Sequence, residues 1–180
     1  DALLDGRDRA SLDGLPTAGL SFTSTRRIRP PSTCTSTTTP MQVVQLDDAL
    51  YAVSAPDCDY VSTFAKAPTT TTRMVSSTSG QNFAGSDGLG LRLASGDLDG
   101  DGKADLVMTT SEDDTIAWVV LGKSVDFKRS TSSSTFISGV GLKLSDTDCK
   151  NDRDHPRGLA VLDFDGDGFD DIAVGCPGFD

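Results

Sequence analysis

The stretch GDLDGDGKADLVM, residues 96–108, combines closely spaced aspartates with glycines and ends in an apolar run. Counted from the first acid, aspartates occupy positions 1, 3, 5 and 9 of a loop, namely Asp97, Asp99, Asp101 and Asp105. The glycines between them allow the backbone to curl tightly without steric cost. Such a loop is typical of a metal site, although an acidic solvent-exposed turn is the alternative.

The residue types of this loop favour calcium. Ca²⁺ takes about six to eight hard oxygen ligands, whereas Mg²⁺ keeps several waters in a strict octahedron. Carboxylates this close repel one another without a cation. With the backbone carbonyl of position 7 facing inward, the predicted ligands of the first site are Asp97, Asp99, Asp101, the Lys103 carbonyl and Asp105.

The loop has a second copy, LDFDGDGFDDIAV at residues 162–174, in which each acid lies 66 residues further on. Two copies with the same spacing make a chance acidic turn improbable, so the sequence predicts two Ca²⁺ sites. The predicted ligands of the second site are Asp163, Asp165, Asp167, the Phe169 carbonyl and Asp171.

Neither loop fits an EF-hand, whose twelfth position is a bidentate Glu and whose flanks are helices. Met108 and Val174 occupy that position, and the exit runs ADLVMT and DIAVG are typical of strands. We therefore predict that each loop joins two strands and that its metal is structural.

The rest of the chain predicts an all-β fold. Of its 27 acidic residues only Glu112 is Glu, and Asp favours turns where Glu favours helices. Several apolar runs are continuous, which suits strands buried on both faces, and Trp118 in one of them is expected in the core. The predicted strands cover residues 41–46, 50–55, 91–95, 104–109, 115–122, 134–138, 158–164 and 171–175.

Charge and cysteine content limit the function classes. A net charge of −11 disfavours nucleic-acid binding, and no apolar run approaches the roughly 18 residues of a membrane helix, which argues against membrane insertion. Four cysteines without a CxxC motif, with His155 as the single histidine, do not suit zinc. Two disulfides in an oxidising compartment are the better interpretation, with free buried thiols as the alternative. The expected location is extracellular or at the cell surface.

The sequence offers little for catalysis. His155 lies in a polar loop beside a proline, which is typical of a surface histidine, and no phosphate-binding glycine loop joins a strand to a helix. We therefore expect a non-enzymatic protein. Ser/Thr-rich stretches lie at 32–40, 68–73 and 130–135. We interpret them as surface loops or edge strands, and the alternative is that they are O-glycosylation sites of a glycoprotein.

Residues 89–122 and 157–178 resemble the FG-GAP repeat, the calcium-binding repeat of integrin α-subunit β-propellers, and the resemblance covers about residues 41–180 at varying strength, strongest at the two loops. The second copy keeps the terminal Val-Gly-x-Pro, whereas the first has VMTTSED there. The resemblance implies blades of four antiparallel strands, with the calcium loop joining the first two, and about three blades of an incomplete ring in this chain. The implied units are 1–66 without a metal loop, 67–128 with the loop 97–105, and a truncated unit 129–180 with the loop 163–171.

The resemblance also implies partners and disulfides. We expect a piece of a larger protein, whose remaining segments or other chains complete the propeller. Superposing the exit strands of the repeats pairs Cys34 with Cys58 and Cys149 with Cys176. The implied function is adhesion, recognition or structural assembly, including a subunit of a filament. The alternatives are the accessory propeller of a secreted hydrolase or lyase, and a lectin-like module with a glycan partner.

Overall fold

The computed structural model describes residues 28–35, 38–65, 72–74, 79–112, 115–129, 131–145 and 158–176. These ranges confirm the all-β prediction, since their helical residues are two one-turn 3₁₀ segments, Pro56–Cys58 and Ile137–Gly139. Within them, no helix has the length and apolar character that crossing a membrane requires. The strands are β1 Ile28–Arg29, β2 Val43–Asp47, β3 Leu50–Ala55, β4 Tyr60–Phe64, β5 Thr72–Arg73, β6 Asn82–Ala84, β7 Leu93–Gly96, β8 Asp105–Thr109, β9 Ala117–Val120, β10 Thr135–Phe136, β11 Leu142–Leu144, β12 Leu159–Leu162 and β13 Asp171–Val174.

The first aspartate loop closes a β-hairpin inside a four-stranded antiparallel sheet of order β11-β9-β8-β7. The hairpin strands are β7 and β8, whose register pairs Gly96 with Asp105 and Leu93 with Met108. The prediction that this loop joins two strands is therefore confirmed. The second loop closes the corresponding hairpin of β12 and β13, where Leu162 pairs with Asp171.

A preceding sheet has the order β10-β6-β4-β3-β2, in which β2, β3, β4 and β6 run antiparallel and β10 adds a parallel edge strand. Its first hairpin is closed by a short turn at 48–49, where the Asp47 carboxylate accepts a hydrogen bond from Ala49 N–H at 2.8 Å. The two repeats with aspartate loops are thus preceded by a blade-like sheet with an ordinary turn at the same place. A further parallel pair joins β1 and β5.

The sheets stack face to face through strands that are buried on both sides. Leu106 and Met108 of β8 pack into a cluster shared with the preceding sheet, together with Leu50, whereas Val107 packs with Val161 of the following hairpin. All five residues of β8 are buried, as predicted for this continuous apolar run, whereas the runs at β12 and β13 alternate between half-buried and exposed residues. Trp118 is also buried, as expected. The sheets that the structure describes do not close into a ring.

The stacking places the first strands of successive sheets side by side. Strand β7 lies between β2 and β12, so the two aspartate loops that follow β7 and β12 are neighbours. The predicted unit boundaries after residues 66 and 128 stay predictions. The sheet that carries the first loop runs from residue 93 to residue 144, so it takes its last strand from beyond residue 128.

Candidate metal centres

Three carboxylates converge in the first loop. Asp97 follows β7, Asp105 opens β8, and Asp99 lies in the turn between them. One oxygen atom from each of the three lies within 4.8 Å of the others. The hairpin brings the two ends of the loop together, because Gly96 and Asp105 are paired residues of neighbouring strands.

The second loop repeats this arrangement with Asp163, Asp165 and Asp171, again within 4.8 Å of one another. The backbone hydrogen bonds correspond as well. Asp97 Oδ2 accepts from Gly102 N–H at 2.9 Å, and Asp163 Oδ2 accepts from Gly168 N–H at 3.0 Å. The two loops are therefore structural copies as well as sequence copies.

Asp101 and Asp167 are also predicted ligands, but they lie outside these convergent groups. Asp101 Oδ1 accepts a hydrogen bond from Lys103 N–H, and Asp167 Oδ1 accepts one from Phe169 N–H, both at 2.9 Å. The hydrogen bond from Lys103 N–H lowers the pKa of Asp101. The Lys103 ammonium, 3.3 Å from Asp101 Oδ2, lowers it further. The ligand roles of these two aspartates and of the Lys103 and Phe169 carbonyls stay predictions.

Burial distinguishes the two centres. The Asp105 side chain is wholly buried, whereas Asp171 is exposed. Asp105 accepts hydrogen bonds from Leu98 N–H at 2.9 Å and from Gly122 N–H at 2.8 Å. Burial raises the pKa of Asp105 despite these bonds, and the negative charges of Asp99 and Asp101 raise it further. A bound cation would offset both effects.

The Oδ2 atom of Asp99 is a buried carboxylate oxygen that requires a positively charged partner. Asp99 Oδ2 is buried and accepts no aligned hydrogen bond from the described residues. The Lys123 ammonium lies 2.6 Å from it and forms an ion pair with the carboxylate. Interaction with Asp99 raises the pKa of Lys123. Sequence reasoning missed Lys123, because nothing local signals that a residue just after β9 reaches back to this loop.

These donors fit a calcium ion. Each centre offers three carboxylates, which are hard oxygen ligands, and neither group contains the nitrogen or sulfur donors that transition metals favour. In the first centre the buried Asp99 Oδ2 atom already has a cation, the Lys123 ammonium, 2.6 Å away, so this position suits a positive charge. The clusters could therefore hold a metal ion.

The predicted disulfide between Cys34 and Cys58 is present, with a Cα–Cα distance of 5.6 Å. Beside it, Asp57 accepts hydrogen bonds from the Thr38 hydroxyl at 3.1 Å and from Thr39 N–H at 2.9 Å, which fasten the same segment. Cys176 is also disulfide-bonded. Its predicted partner, Cys149, lies outside the described residues, as does His155.

Stacked antiparallel sheets, two of which carry a hairpin loop of convergent carboxylates, define an all-β protein built of propeller-type blades. Comparison with protein families agrees. The FG-GAP repeat model matches residues 89–120 and 155–180, so the chain contains FG-GAP repeats. Searches of curated proteins and of solved structures gave no match.

Proposed function

We propose that the chain is a non-catalytic, calcium-binding β-propeller module that serves adhesion, recognition or structural assembly outside the cell or at its surface. The observation that carries the proposal is the repeated carboxylate geometry. In each of two loops, 66 residues apart in the sequence, three equivalent acids place oxygen atoms within 4.8 Å of one another. FG-GAP repeats often bind calcium, which supports the same choice of ion.

The role proposed for the ion is structural. Asp97, Asp99 and Asp105 would hold one ion, and Asp163, Asp165 and Asp171 the other. Bound calcium supplies the positive charge that lets these carboxylates stay close together. The loop backbone then orients each acid through hydrogen bonds from its own N–H groups, and the hairpin strands keep their register.

An extracellular location is supported by the Cys34–Cys58 disulfide, since disulfides persist in oxidising compartments. Calcium sites in extracellular modules are typically weak, with dissociation constants of about 10⁻⁴ to 10⁻³ M. A non-catalytic role is supported by the metal centres, which account for the best clustered acids of the described ranges.

Partners that extend the stack of blades are part of the proposal. The hairpin of β12 and β13 packs on the preceding sheet through Val161 and Ile172, while Leu162 and Phe164 are exposed. A further blade, from the same protein or from another chain, would cover these apolar side chains.

Isothermal titration calorimetry and thermal melting test the calcium proposal directly. We expect two sites with dissociation constants of about 10⁻⁴ to 10⁻³ M, and about 10 mM Ca²⁺ should stabilise the fold by roughly 1.5–3 kcal/mol per site. Chelation should lower the melting temperature by roughly 5–20 °C. Asp97→Asn and Asp163→Asn should each remove one site, and an unchanged melt in EDTA together with no calorimetric signal would overturn the proposal.

Lys123 is expected to compete with calcium at the first site only. Its ammonium lies 2.6 Å from Asp99 Oδ2 and must give up this partner when the carboxylate binds an ion. Lys123→Met should therefore tighten calcium binding at the first site about two- to fivefold, the scale of an exposed ion pair. Lys128→Met is the matched control, because Lys128 pairs with Asp47, outside the loop, at 2.8 Å. Equal affinities for the two variants would contradict the competition.

A further inference from the structure

We propose that Asp170 is a positioning residue that couples the two metal loops, so that calcium in one loop strengthens calcium binding in the other. This inference rests on the calcium proposal above. It adds that the two centres behave as one unit across the boundary between successive sheets.

The first contact between the loops is a pair of hydrogen bonds. Asp97 N–H donates to Asp170 Oδ2 at 2.8 Å, and Asp170 N–H donates to the Asp97 carbonyl at 3.0 Å. Asp97 is the first carboxylate of the first centre, and Asp170 directly precedes Asp171, the last carboxylate of the second. The N–H and carbonyl groups of Asp97 are thus both hydrogen-bonded to Asp170, the residue next to Asp171.

The second contact is made by an aromatic ring. A Cβ atom at Gly100 would lie 2.5 Å from Phe169 Cε1 and 3.0 Å from Phe169 Cδ1, so the ring lies directly against the bare backbone of the first loop. Gly100 separates Asp99 from Asp101 and has a φ of +71°. The second loop therefore contacts the first both at its start and at its tip.

These contacts give the coupling a physical route. The orientation of Asp97 depends on Asp170, and the position of Asp170 depends on how firmly the second loop is ordered. Calcium in the second loop removes the repulsion among its carboxylates and orders residues 169–171, which in turn fixes the first loop. By thermodynamic linkage, the first ion must favour the second by the same factor.

A comparison within the chain supports a specific role for Asp170. At the equivalent position, 66 residues earlier, the first loop has Ala104. The hairpin that precedes the first loop is closed by the short turn at 48–49. A hydrogen bond from the Ser95 hydroxyl on β7 to the Gln45 carbonyl on β2, at 2.6 Å, joins this hairpin to the first loop's hairpin. The second loop, which carries the acid, follows a hairpin that has a metal loop, whereas the first loop follows a hairpin with an ordinary turn.

Site-resolved NMR titration with Ca²⁺ tests the coupling in the whole chain. The amide signals of Gly102 and Gly168 report the two sites separately, because their N–H groups donate to Asp97 and Asp163. Asp165→Asn disables the second site while keeping an acceptor for its local hydrogen bond from Asp167 N–H. Asp170→Ala installs the residue found in the first loop and removes the side-chain part of the bridge.

We expect Asp165→Asn to weaken calcium binding at the first site, as reported by the Gly102 amide, by about fivefold or more, as is usual for coupled sites. In the Asp170→Ala background, Asp165→Asn should change the calcium affinity of the first site by less than about twofold. Equal first-site affinity with and without Asp165→Asn would overturn the coupling while leaving calcium binding intact. Loss of titration at both glycines in the wild-type chain would instead overturn the calcium proposal and the coupling with it.

Glycine variants provide a second, independent test of the coupling between the loops, and they do not remove a charge. Gly100→Ala should reduce the coupling factor toward 1, because the new methyl group displaces the Phe169 ring. Gly102→Ala is the matched control in the same loop, since Gly102 has a similar φ of +80° and no atom within 4 Å of its added Cβ. Retention of the full coupling in Gly100→Ala would count against the contact between the loops as its route.

Discussion

Asp105→Ala should lower the free energy of unfolding by about 2–4 kcal/mol even in EDTA, and should also abolish calcium binding at the first loop. The Asp105 carboxylate is buried and accepts hydrogen bonds from Leu98 N–H and Gly122 N–H. Its removal leaves two partly buried N–H groups without this acceptor, and each such group costs about 1–3 kcal/mol when water does not replace the acceptor. Relief of the desolvation that raises the pKa of Asp105 offsets part of this cost.

The control for this prediction is the equivalent residue of the second loop. Asp171 is exposed and accepts a hydrogen bond from Phe164 N–H at 3.1 Å. Asp171→Ala should therefore abolish calcium binding at the second loop but change stability little in EDTA. Urea unfolding of both variants with and without calcium measures the difference. Equal destabilisation of the two in EDTA would show that burial of Asp105 does not matter.

Asn82→Ala should lower the free energy of unfolding by about 3–4 kcal/mol, with no direct effect on either metal site. Asn82 is wholly buried, and its Oδ1 accepts hydrogen bonds from the Ser62 hydroxyl at 2.7 Å and the Ser79 hydroxyl at 3.0 Å. Its Nδ2 donates to the carbonyls of Thr131 at 2.7 Å and Ser133 at 3.3 Å. One side chain thus joins β4 and β6 to the segment that leads into β10.

Two variants separate the parts of this network in chemical denaturation. Asn82→Asp keeps the acceptors for the serine hydroxyls but loses the donors to the two carbonyls, and places a charge in the core, so it should be at least as costly as Asn82→Ala. Gln81→Ala changes the neighbouring, half-buried residue and should alter stability by no more than about 0.5 kcal/mol. A loss below about 1 kcal/mol for Asn82→Ala would contradict the importance of the network.

The sequence predicted the elements whose apolar pattern or turn chemistry is strong. The two aspartate loops, their exit strands β8 and β13, and the buried run around Trp118 all lie where the pattern placed them. The reason is local, since glycines and aspartates specify a tight loop and continuous apolar residues specify a strand. The Cys34–Cys58 bond followed from the repeat and not from any local signal.

The elements that sequence reasoning missed depend on distant partners. Strands β4 and β6 have buried polar residues, such as Ser62 and Asn82, which resemble loop residues until their hydrogen bonds to each other are known. Lys123 and Asp170 were missed as parts of the metal centres for the same reason. Lys123 reaches Asp99 from beyond β9, and Asp170 reaches Asp97 from the following hairpin. The difference between Ala104 and Asp170 is visible in the sequence, but it does not reveal that contact.

The two kinds of hairpin closure in this chain bear on how such a repeat evolves. Strands β2 and β3 are joined by residues 48–49, whereas β7 and β8 are joined by residues 97–104, yet both pairs open an antiparallel sheet of comparable form. Within this chain, the first hairpin of a sheet is thus closed either by a short turn or by a metal loop. A lineage can gain or delete an ion site by changing the length of a single connection, while every strand keeps its neighbours.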